Sequence, residues 1–405
     1  MTVLQQLLSA CIRSPEALRE PLHLTDREVD RLNAIAKQYP ICIPPYYLSL
    51  IGSDWVHDPI RRLCIPDPME AFPGGLKDTS GETGNTVVTG MQHKYRQTAL
   101  VLTTNQCSMY CRHCFRKRMV GSNADEIASH LGEMTAYVSA HPEIDNVLLS
   151  GGDALINENS RIRQYLEAFC AIEHLRYIRI GTRVPVVLPS RITEDVELLQ
   201  LLREYSRRKP IIVVTHFNHP REITGKSRRA VRALLEAGCP VRNQTVLLRG
   251  INDDPDTLAA VLNGLTGIGV LPYYVFQCRP AMGVMHQFQV PLLEGQRVVD
   301  GARAQLNGQA KQFRYVMSHV TGKIEILGRP FGEETLFKYH QAKSDADANR
   351  FFTVRLAEDQ CWLGDDIRRR VGDAVYRSPL RERRCSGLKG EVTAQGAPNI
   401  CRVRL

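Results

Sequence analysis

No stretch of this sequence approaches the ~20 consecutive apolar residues that a membrane-spanning helix requires, so no membrane partner is expected. One place, Leu8-Ser9-Ala10-Cys11, has the small-residue look of a lipoprotein cleavage site. It lacks a basic stretch ahead of it, and Gln5 and Gln6 interrupt its apolar run, so export is not expected. Cys11 reads instead as a core residue on an amphipathic helix. The pattern of a disulfide framework is missing too: of twelve cysteines, three cluster and the other nine are scattered singly. Such frameworks belong mainly to small secreted domains, and a reducing cytoplasm with one metal site explains the distribution better.

What is present is ordinary for a soluble globular chain: 405 residues, 43% hydrophobic and 23% charged. That length allows one large domain with extensions, or two or three domains. The formal net charge is +9, and the excess sits late, in Arg368-Arg369-Arg370 and in Arg381, Arg383 and Arg384. No aromatic residues interleave these arginines, so they read as a solvated face or a subunit contact, and nucleic acid is not expected.

Residues 1–95 read as a helical N-terminal extension with loops. Thr25-Asp26 can cap a helix running through Val29, Leu32 and Ile35, and turn formers dominate from Phe72 to Gly84. From about residue 96 the pattern changes. Candidate strands at 99–103, 146–149, 177–181, 211–215, 243–248 and 273–276 alternate with helical stretches at 162–172, 194–205, 228–237 and 257–265. That spacing predicts an α/β fold of six βα units, a partial barrel over 96–285 whose chemistry lies at the C-terminal ends of its strands. A helix at 294–306 and two strand-like runs, 313–317 and 323–327, make up a segment at 286–335. A mixed, basic C-terminal extension covers 336–405.

Two motifs fall at predicted strand ends. The first is Cys107-Ser108-Met109-Tyr110-Cys111-Arg112-His113-Cys114. Thiolates are soft ligands for zinc or for an iron–sulfur cluster. Structural zinc needs a fourth ligand, His113 or a distant residue. Three close thiolates leave one iron of a [4Fe–4S] cubane open, and that iron can take the amino and carboxylate groups of S-adenosylmethionine. The second motif is Ser150-Gly151-Gly152-Asp153, where two glycines let a ligand approach the backbone and offer it their amides.

With these motifs in hand, the sequence resembles the lysine 2,3-aminomutase family of radical-SAM enzymes. The resemblance runs from about Pro45 to Gly283, and more loosely to Lys323. Besides the cysteine and glycine motifs, with His113 in its place, it rests on Pro45-Tyr46-Tyr47-Leu48-Ser49-Leu50-Ile51, Thr215-His216-Phe217-Asn218-His219-Pro220, Asn243-Gln244, Leu247-Leu248-Arg249-Gly250 and Pro272-Tyr273-Tyr274. It implies a radical-SAM partial barrel and an isomerase. An adenosyl radical takes hydrogen from the β-carbon of an amino acid held by pyridoxal phosphate (PLP), and the nitrogen moves from C2 to C3. It implies cluster ligands Cys107, Cys111 and Cys114, and S-adenosylmethionine at Ser150, Gly151, Gly152 and Asp153. It places the PLP lysine at Lys323, a tyrosine stacked on the PLP ring at Tyr95, and a glutamine contact at Gln244. Arg116 matches the arginine that grips the substrate carboxylate. Lys323 as a surface residue of a hairpin is the plainer alternative. A further arginine of the family is Thr98 here.

The substrate is where the chain departs most. Lysine-specific members carry an aspartate where this chain has Arg279, and a second near Ser318. A cation and a hydroxyl in place of two anions repel an ε-ammonium, so the expected substrate is acidic or neutral polar, glutamate-like first. Lysine itself, or an epimerase or dehydratase outcome, is the alternative. Arg279 turned toward a structural carboxylate or the PLP phosphate is the plainer reading of that residue. The closely spaced C-terminal cysteines of the lysine enzymes' zinc site are missing, since Cys361, Cys385 and Cys401 lie far apart and Asp254 stands near the internal ligand's place. No zinc is expected. A reducing partner such as flavodoxin or ferredoxin, a homo-oligomer and a cytoplasmic location complete the expectations. A protein directed at RNA or a translation factor, and a non-enzymatic metal protein, are the competing classes.

Overall fold

A computed structural model describes residues 1–53, 57–122, 125–364 and 367. The arginine-rich stretch and Cys385 and Cys401 lie outside the described residues. One sheet of twelve strands runs in sequence order: β1 (Thr86–Val88), β2 (Met91–Tyr95), β3 (Thr98–Thr104), β4 (Asn146–Gly151), β5 (Tyr177–Gly181), β6 (Ile211–Thr215), β7 (Val241–Leu247), β8 (Val270–Gln277), β9 (Arg314–His319), β10 (Gly322–Phe331), β11 (Glu334–Ala342) and β12 (Phe351–Arg355). All neighbours from β3 to β9 are parallel, and the pairs at either end are antiparallel. The sheet does not close, because β1 pairs only with β2 and β12 only with β11. The six expected barrel strands are present, and β9 adds a seventh in parallel.

The crossover helices Asn159–Cys170, Val196–Arg208, Gly225–Glu236 and Pro255–Thr266 bury one apolar stripe each, for example Leu198, Leu201, Leu202 and Tyr205. Against them pack strand residues such as Val147, Ile178, Ile180 and Val213, all essentially inaccessible. Alternate residues of the same strands therefore face the barrel interior: Thr98 and Leu100 on β3, Leu148 and Ser150 on β4, Arg179 on β5, Gln244 on β7.

In the N-terminal extension Thr25 caps the helix Asp26–Ala36 in a reciprocal box with Glu28, an arrangement that contributes about 1 kcal/mol. Two details differ from the sequence reading. Residues 86–95 are a β-hairpin (β1 and β2) rather than helix or loop, turning at Thr89-Gly90 with Gly90 at φ +80°. Cys11 is buried as expected, but it lies two residues past the helix Val3–Ser9, beside the bridge between Ile12 and Ile43.

Candidate functional site

The cysteine loop leaves β3 and is tied at its back to the N-terminal extension. The amide of Tyr110 donates to the Cys42 carbonyl (3.1 Å) and that of Arg112 to the Leu63 carbonyl (3.0 Å). The Arg112 guanidinium is fully buried and donates through Nε to Glu70 Oε1 (2.8 Å), through Nη2 to Glu70 Oε2 and through Nη1 to the Pro40 carbonyl (3.1 Å). Lys117 closes the network with Nζ 2.7 Å from Glu70. On the other side Arg183 Nη1 donates to the Cys111 sulfur at 2.8 Å. Its Nη2 reaches Glu222 and the Tyr47 hydroxyl (3.2 Å), and Nε the His216 carbonyl (3.1 Å). Glu222 in turn accepts from the Tyr47 hydroxyl and the Asn218 amide, each at 2.6 Å. The motif residues Tyr47, His216 and Asn218 thus act on the cysteine loop through one buried network.

Cys107, Cys111 and Cys114 lie within electrostatic reach of one another. Burial raises the Cys107 thiol, as do the neighbouring Asp153, Cys114 and Cys111, and burial with Cys111 raises Cys114 to about 11. His113 turns its ring edge toward Phe288 (centroids 6.1 Å), and burial holds its imidazole well below the usual value. Among the described residues no three His, Cys, Asp or Glu side chains converge on one metal-sized point. A cubane does not need that, because each thiolate binds a different iron. Three soft donors with no histidine among them fit such a cluster.

The glycine motif works differently from the sequence reading. A Cβ on Gly151 would stand 2.3 Å from the Thr104 carbonyl oxygen, and one on Gly152 would stand 2.2 Å from that of Gln106. The amides of Gly152 and Asp153 donate to those same oxygens (2.6 and 2.9 Å) and are not free for a ligand. Asp153 is likewise occupied: it accepts from the Leu155 amide (3.0 Å), the Thr182 hydroxyl (2.6 Å) and the Arg183 amide (2.7 Å). Of the motif, the Ser150 hydroxyl faces the interior, accepting from Arg116 Nη1 at 3.2 Å. The close approach is between strand ends, which seats the root of the cysteine loop.

The register of the sheet sets the rest. Lys323 is paired opposite Ser318 and beside Gln341, so all three side chains lie on one face. Lys323 Nζ donates to Gln341 Oε1 (2.6 Å) and lies 4.9 Å from the Tyr95 ring centroid and 5.3 Å from that of Tyr274. Burial, then the charges of Arg179, Lys94 and Arg279, lower its ammonium to about 7. It is half-buried, with its ammonium against two rings. Gln244 pairs with Tyr274 across β7 and β8, and its side-chain amide has no hydrogen-bond partner among the described residues. A near-neutral amine between two aromatic rings, with a free amide nearby, fits an aldehyde cofactor.

Arg279 lies deep in the interior. Nη1 donates to the hydroxyls of Thr79 (3.2 Å) and Ser80, Nη2 to Ser318 (2.8 Å), and the guanidinium carbon sits 4.0 Å from the Phe115 ring centroid. Among the described residues no carboxylate lies within ion-pair distance of it. Burial lowers it to about 10, against the pull of Glu82. Arg116 donates from Nε to Glu82 Oε1 (2.7 Å), while its Nη2 has no hydrogen-bond partner among the described residues. Burial pushes the Glu82 carboxyl up, but Arg116, Arg279 and Arg118 outweigh it and hold it at about 2. Lys94 Nζ donates to the carbonyls of Ser80 (3.2 Å) and His319 (2.7 Å), and burial with Arg279 and Lys343 lowers it to about 7.

Sequence reasoning missed Glu70, Glu82, Lys94, Arg179, Arg183 and Tyr274 as members of this interior. Arg179 had a usable signal, being a charged residue within a strand pattern, and Lys94 had none. Glu70 and Glu82 had none, because they lie in turn-rich sequence. Asp254 caps the helix Pro255–Thr266 by accepting from the Thr257 amide (2.9 Å), and Cys361 is half-buried with its thiol on the Asp359 carbonyl (3.4 Å). No helix among the described residues is long and apolar enough to cross a membrane.

Comparison with known proteins adds to this geometry. Residues 101–261 match the model of the radical SAM superfamily. A putative L-lysine 2,3-aminomutase of Aquifex aeolicus is 41% identical over 359 residues, which cover 88% of this chain and 95% of the relative. The L-lysine 2,3-aminomutase of Clostridium subterminale is 38% identical over 73% of this chain and 71% of its own length. The glutamate 2,3-aminomutase of Clostridioides difficile is 35% identical over 75% and 71%. Enzymes of this superfamily take a small substrate and a reductant. The chain belongs to the lysine 2,3-aminomutase family of radical-SAM enzymes, isomerases that work with a [4Fe–4S] cluster, S-adenosylmethionine and pyridoxal phosphate.

Proposed function

We propose that this chain is a 2,3-aminomutase for an amino acid with an acidic or neutral polar side chain, glutamate being the first candidate. The observation that carries this reading is Arg279, a half-buried interior guanidinium with hydroxyl partners and, among the described residues, no carboxylate within ion-pair distance. A buried charge without an ionic partner is costly, and an anionic side chain would relieve that cost where the ammonium of lysine would add to it. The glutamate 2,3-aminomutase of C. difficile is a relative with an acidic substrate.

The residues divide the work as follows. Cys107, Cys111 and Cys114 hold the cluster, and the strand end at Ser150, Gly151, Gly152 and Asp153 backs S-adenosylmethionine. Lys323, whose amine lies against the Tyr95 and Tyr274 rings, would hold the PLP aldehyde, and Gln244 on the neighbouring strand would offer it an amide. Together these groups supply a radical initiator and a conjugated carrier for the migrating nitrogen. The free Nη2 of Arg116 takes the substrate carboxylate, and Glu82 fixes the angle of that guanidinium. Arg279 takes the side chain, which sets the register of C2 and C3 against the cofactor. Residues 1–95 brace the cysteine loop, 96–285 carry the barrel, and 286–335 present Lys323. Of the extension 336–405, Gln341 supports that lysine. Flavodoxin or ferredoxin as reductant, homo-oligomeric assembly and a cytoplasmic location go with the same reading.

The test is anaerobic reconstitution with iron, sulfide, PLP and S-adenosylmethionine, followed by mass spectrometry of products from each of the twenty amino acids. We expect a 3-amino product from glutamate or a neutral polar analogue. Faster turnover of L-lysine than of glutamate overturns the substrate assignment.

A further inference from the structure

The turn-rich segment after Phe72 is a strap laid along the loop that carries Arg279. Leu76 pairs in parallel with Ala281, its amide donating to the Pro280 carbonyl (2.8 Å) and its carbonyl accepting from the Met282 amide (3.1 Å). Gly75, at φ +82°, lies so close that a Cβ there would stand 2.7 Å from the Met282 amide nitrogen. The strap thereby brings Thr79, 200 residues away in sequence, and its neighbour Ser80 onto the Arg279 guanidinium. Both side chains are nearly fully buried there.

What this junction lacks is acceptors. Arg279 can only donate, and the oxygens of Thr79 (3.2 Å) and Ser80 both accept from its Nη1. A hydroxyl that accepts still has its own proton to give, and neither proton meets an acceptor among the described residues. The other strap oxygens are engaged elsewhere. The Ser80 carbonyl accepts from Lys94 Nζ and from Asn85 Nδ2, each at 3.2 Å. The Asp78 carboxylate closes the turn on the amides of Ser80 (3.0 Å) and Thr83 (3.2 Å). The two Glu82 oxygens take Arg116 (2.7 Å) and Arg118 (2.9 Å). Ser318, the third hydroxyl on Arg279 (2.8 Å), comes from β9 opposite Lys323 and so belongs to the cofactor side of the junction.

We propose that Thr79 and Ser80 are specificity-determining residues for the far end of the substrate, and that with Arg279 they make a lining of donors that admits a carboxylate and turns away the carboxamide of the same shape. This rests on the reading of Arg279 as the side-chain contact, and it narrows that reading from acidic or neutral polar to acidic. A carboxylate has acceptor sites alone, so it satisfies guanidinium and hydroxyl protons alike. A carboxamide brings two N–H groups to a place that has no acceptor left for them, and a donor left unpaired is penalised. The ammonium of lysine, with three donors and a charge, fares worst. Selection by hydrogen bonds separates such isosteres far more sharply than selection by size.

The experiment sets glutamate against glutamine on the full chain reconstituted with iron, sulfide, PLP and S-adenosylmethionine. Binding is read from the change in visible absorbance of the bound cofactor, and turnover by mass spectrometry. We expect wild type to bind glutamate at least about tenfold more tightly than glutamine, the weight of one unpaired donor. In the double variant Thr79→Val, Ser80→Ala, glutamate affinity should fall by about tenfold or more while glutamine stays within about threefold, so the ratio narrows. Ser80→Thr keeps a hydroxyl and should keep the wild-type ratio. Wild-type iron content and cofactor absorbance report that the variants are folded, and the wild-type ratio is decisive even if the double variant is not. Equal binding of the two amino acids by wild type, or parallel losses on both in the folded double variant, overturns this proposal and leaves Arg279 as the side-chain contact. A preference for lysine, or no binding of glutamate at all, overturns the reading of Arg279 and this proposal with it.

Discussion

An ordinary lysine at pH 7 is neutral in only about one molecule in three thousand, because its pKa lies near 10.5. Lys323 is lowered to about 7 by burial and by the charges of Arg179, Lys94 and Arg279, so about half of it is a free amine at that pH. The consequence is measurable in the empty protein. The rate of PLP capture, followed by stopped-flow absorbance from about pH 5 to about pH 10, should climb tenfold per unit below pH 7 and then level. Dividing by the rate of Nα-acetyl-lysine at each pH removes the titrations of the cofactor itself, and the ratio should fall steadily above pH 7. Lys94→Gln removes one of the opposing cations and should move the break upward, since a positive neighbour is what disfavours the ammonium. The charge of Lys94 itself fades as pH rises through about 7, so the shift should be largest in data below that pH. A capture rate that rises with unit slope through pH 9, in step with the free amine, would refute the argument.

Three further outcomes follow from particular contacts. Arg279→Gln should reduce kcat/KM for glutamate by roughly 10- to 150-fold, the equivalent of about 1.5–3 kcal/mol for a charge-assisted contact, without a matching loss for lysine; parallel losses on both substrates would count against a side-chain role. Gly152→Ala places a Cβ 2.2 Å from the Gln106 carbonyl oxygen, where only backbone can give way, so iron and sulfide per chain should fall sharply after reconstitution; full cluster content would show that the strand-end contact does not seat the loop. Glu70→Ala leaves Arg112 and Lys117 as buried unpaired cations and should cost about 3–5 kcal/mol in chemical denaturation, and a loss under about 1 kcal/mol would contradict the weight given to that network.

How legible the site was depends on what each residue answers to. The six barrel strands could be read because each is a short apolar run closed by turn formers, and the cysteine spacing because local chemistry sets it. Lys323 could be placed only by resemblance, but its interior position follows from the pairing of β9 and β10, which puts it opposite Ser318. The hairpin of β1 and β2 was missed because Gln92, His93 and Lys94 mask the strand pattern. Those polar residues are there because β2 lines the interior, where Lys94 meets carbonyls of Ser80 and His319. The glycines of the Ser150 motif were read as room for a ligand. Their true neighbour is the backbone of Thr104 and Gln106, a contact that spans two strands and leaves no trace in local sequence. Glu70 and Glu82 are the same lesson in charge, because nothing within turn-rich sequence says that a carboxylate will be buried under two or three arginines and lysines.

The balance of charge in the interior ties the assignments together. Arg116, Arg179, Arg279, Lys94 and Lys323 share it, while Glu82 acts on three of them and Asp78 on two. Burial first, and that excess second, lower both lysines to about 7, a change the arginines cannot make, since Arg279 stays charged even when lowered to about 10. Each anion that enters, whether phosphate or carboxylate, offsets an arginine and so favours the ammonium of Lys94 again. Arg116 and Arg279 face the outer part of the barrel with their charge unspent. An acidic amino acid, with a carboxylate at each end, matches two separated guanidinium groups; lysine, with one carboxylate and one ammonium, matches only the first of them.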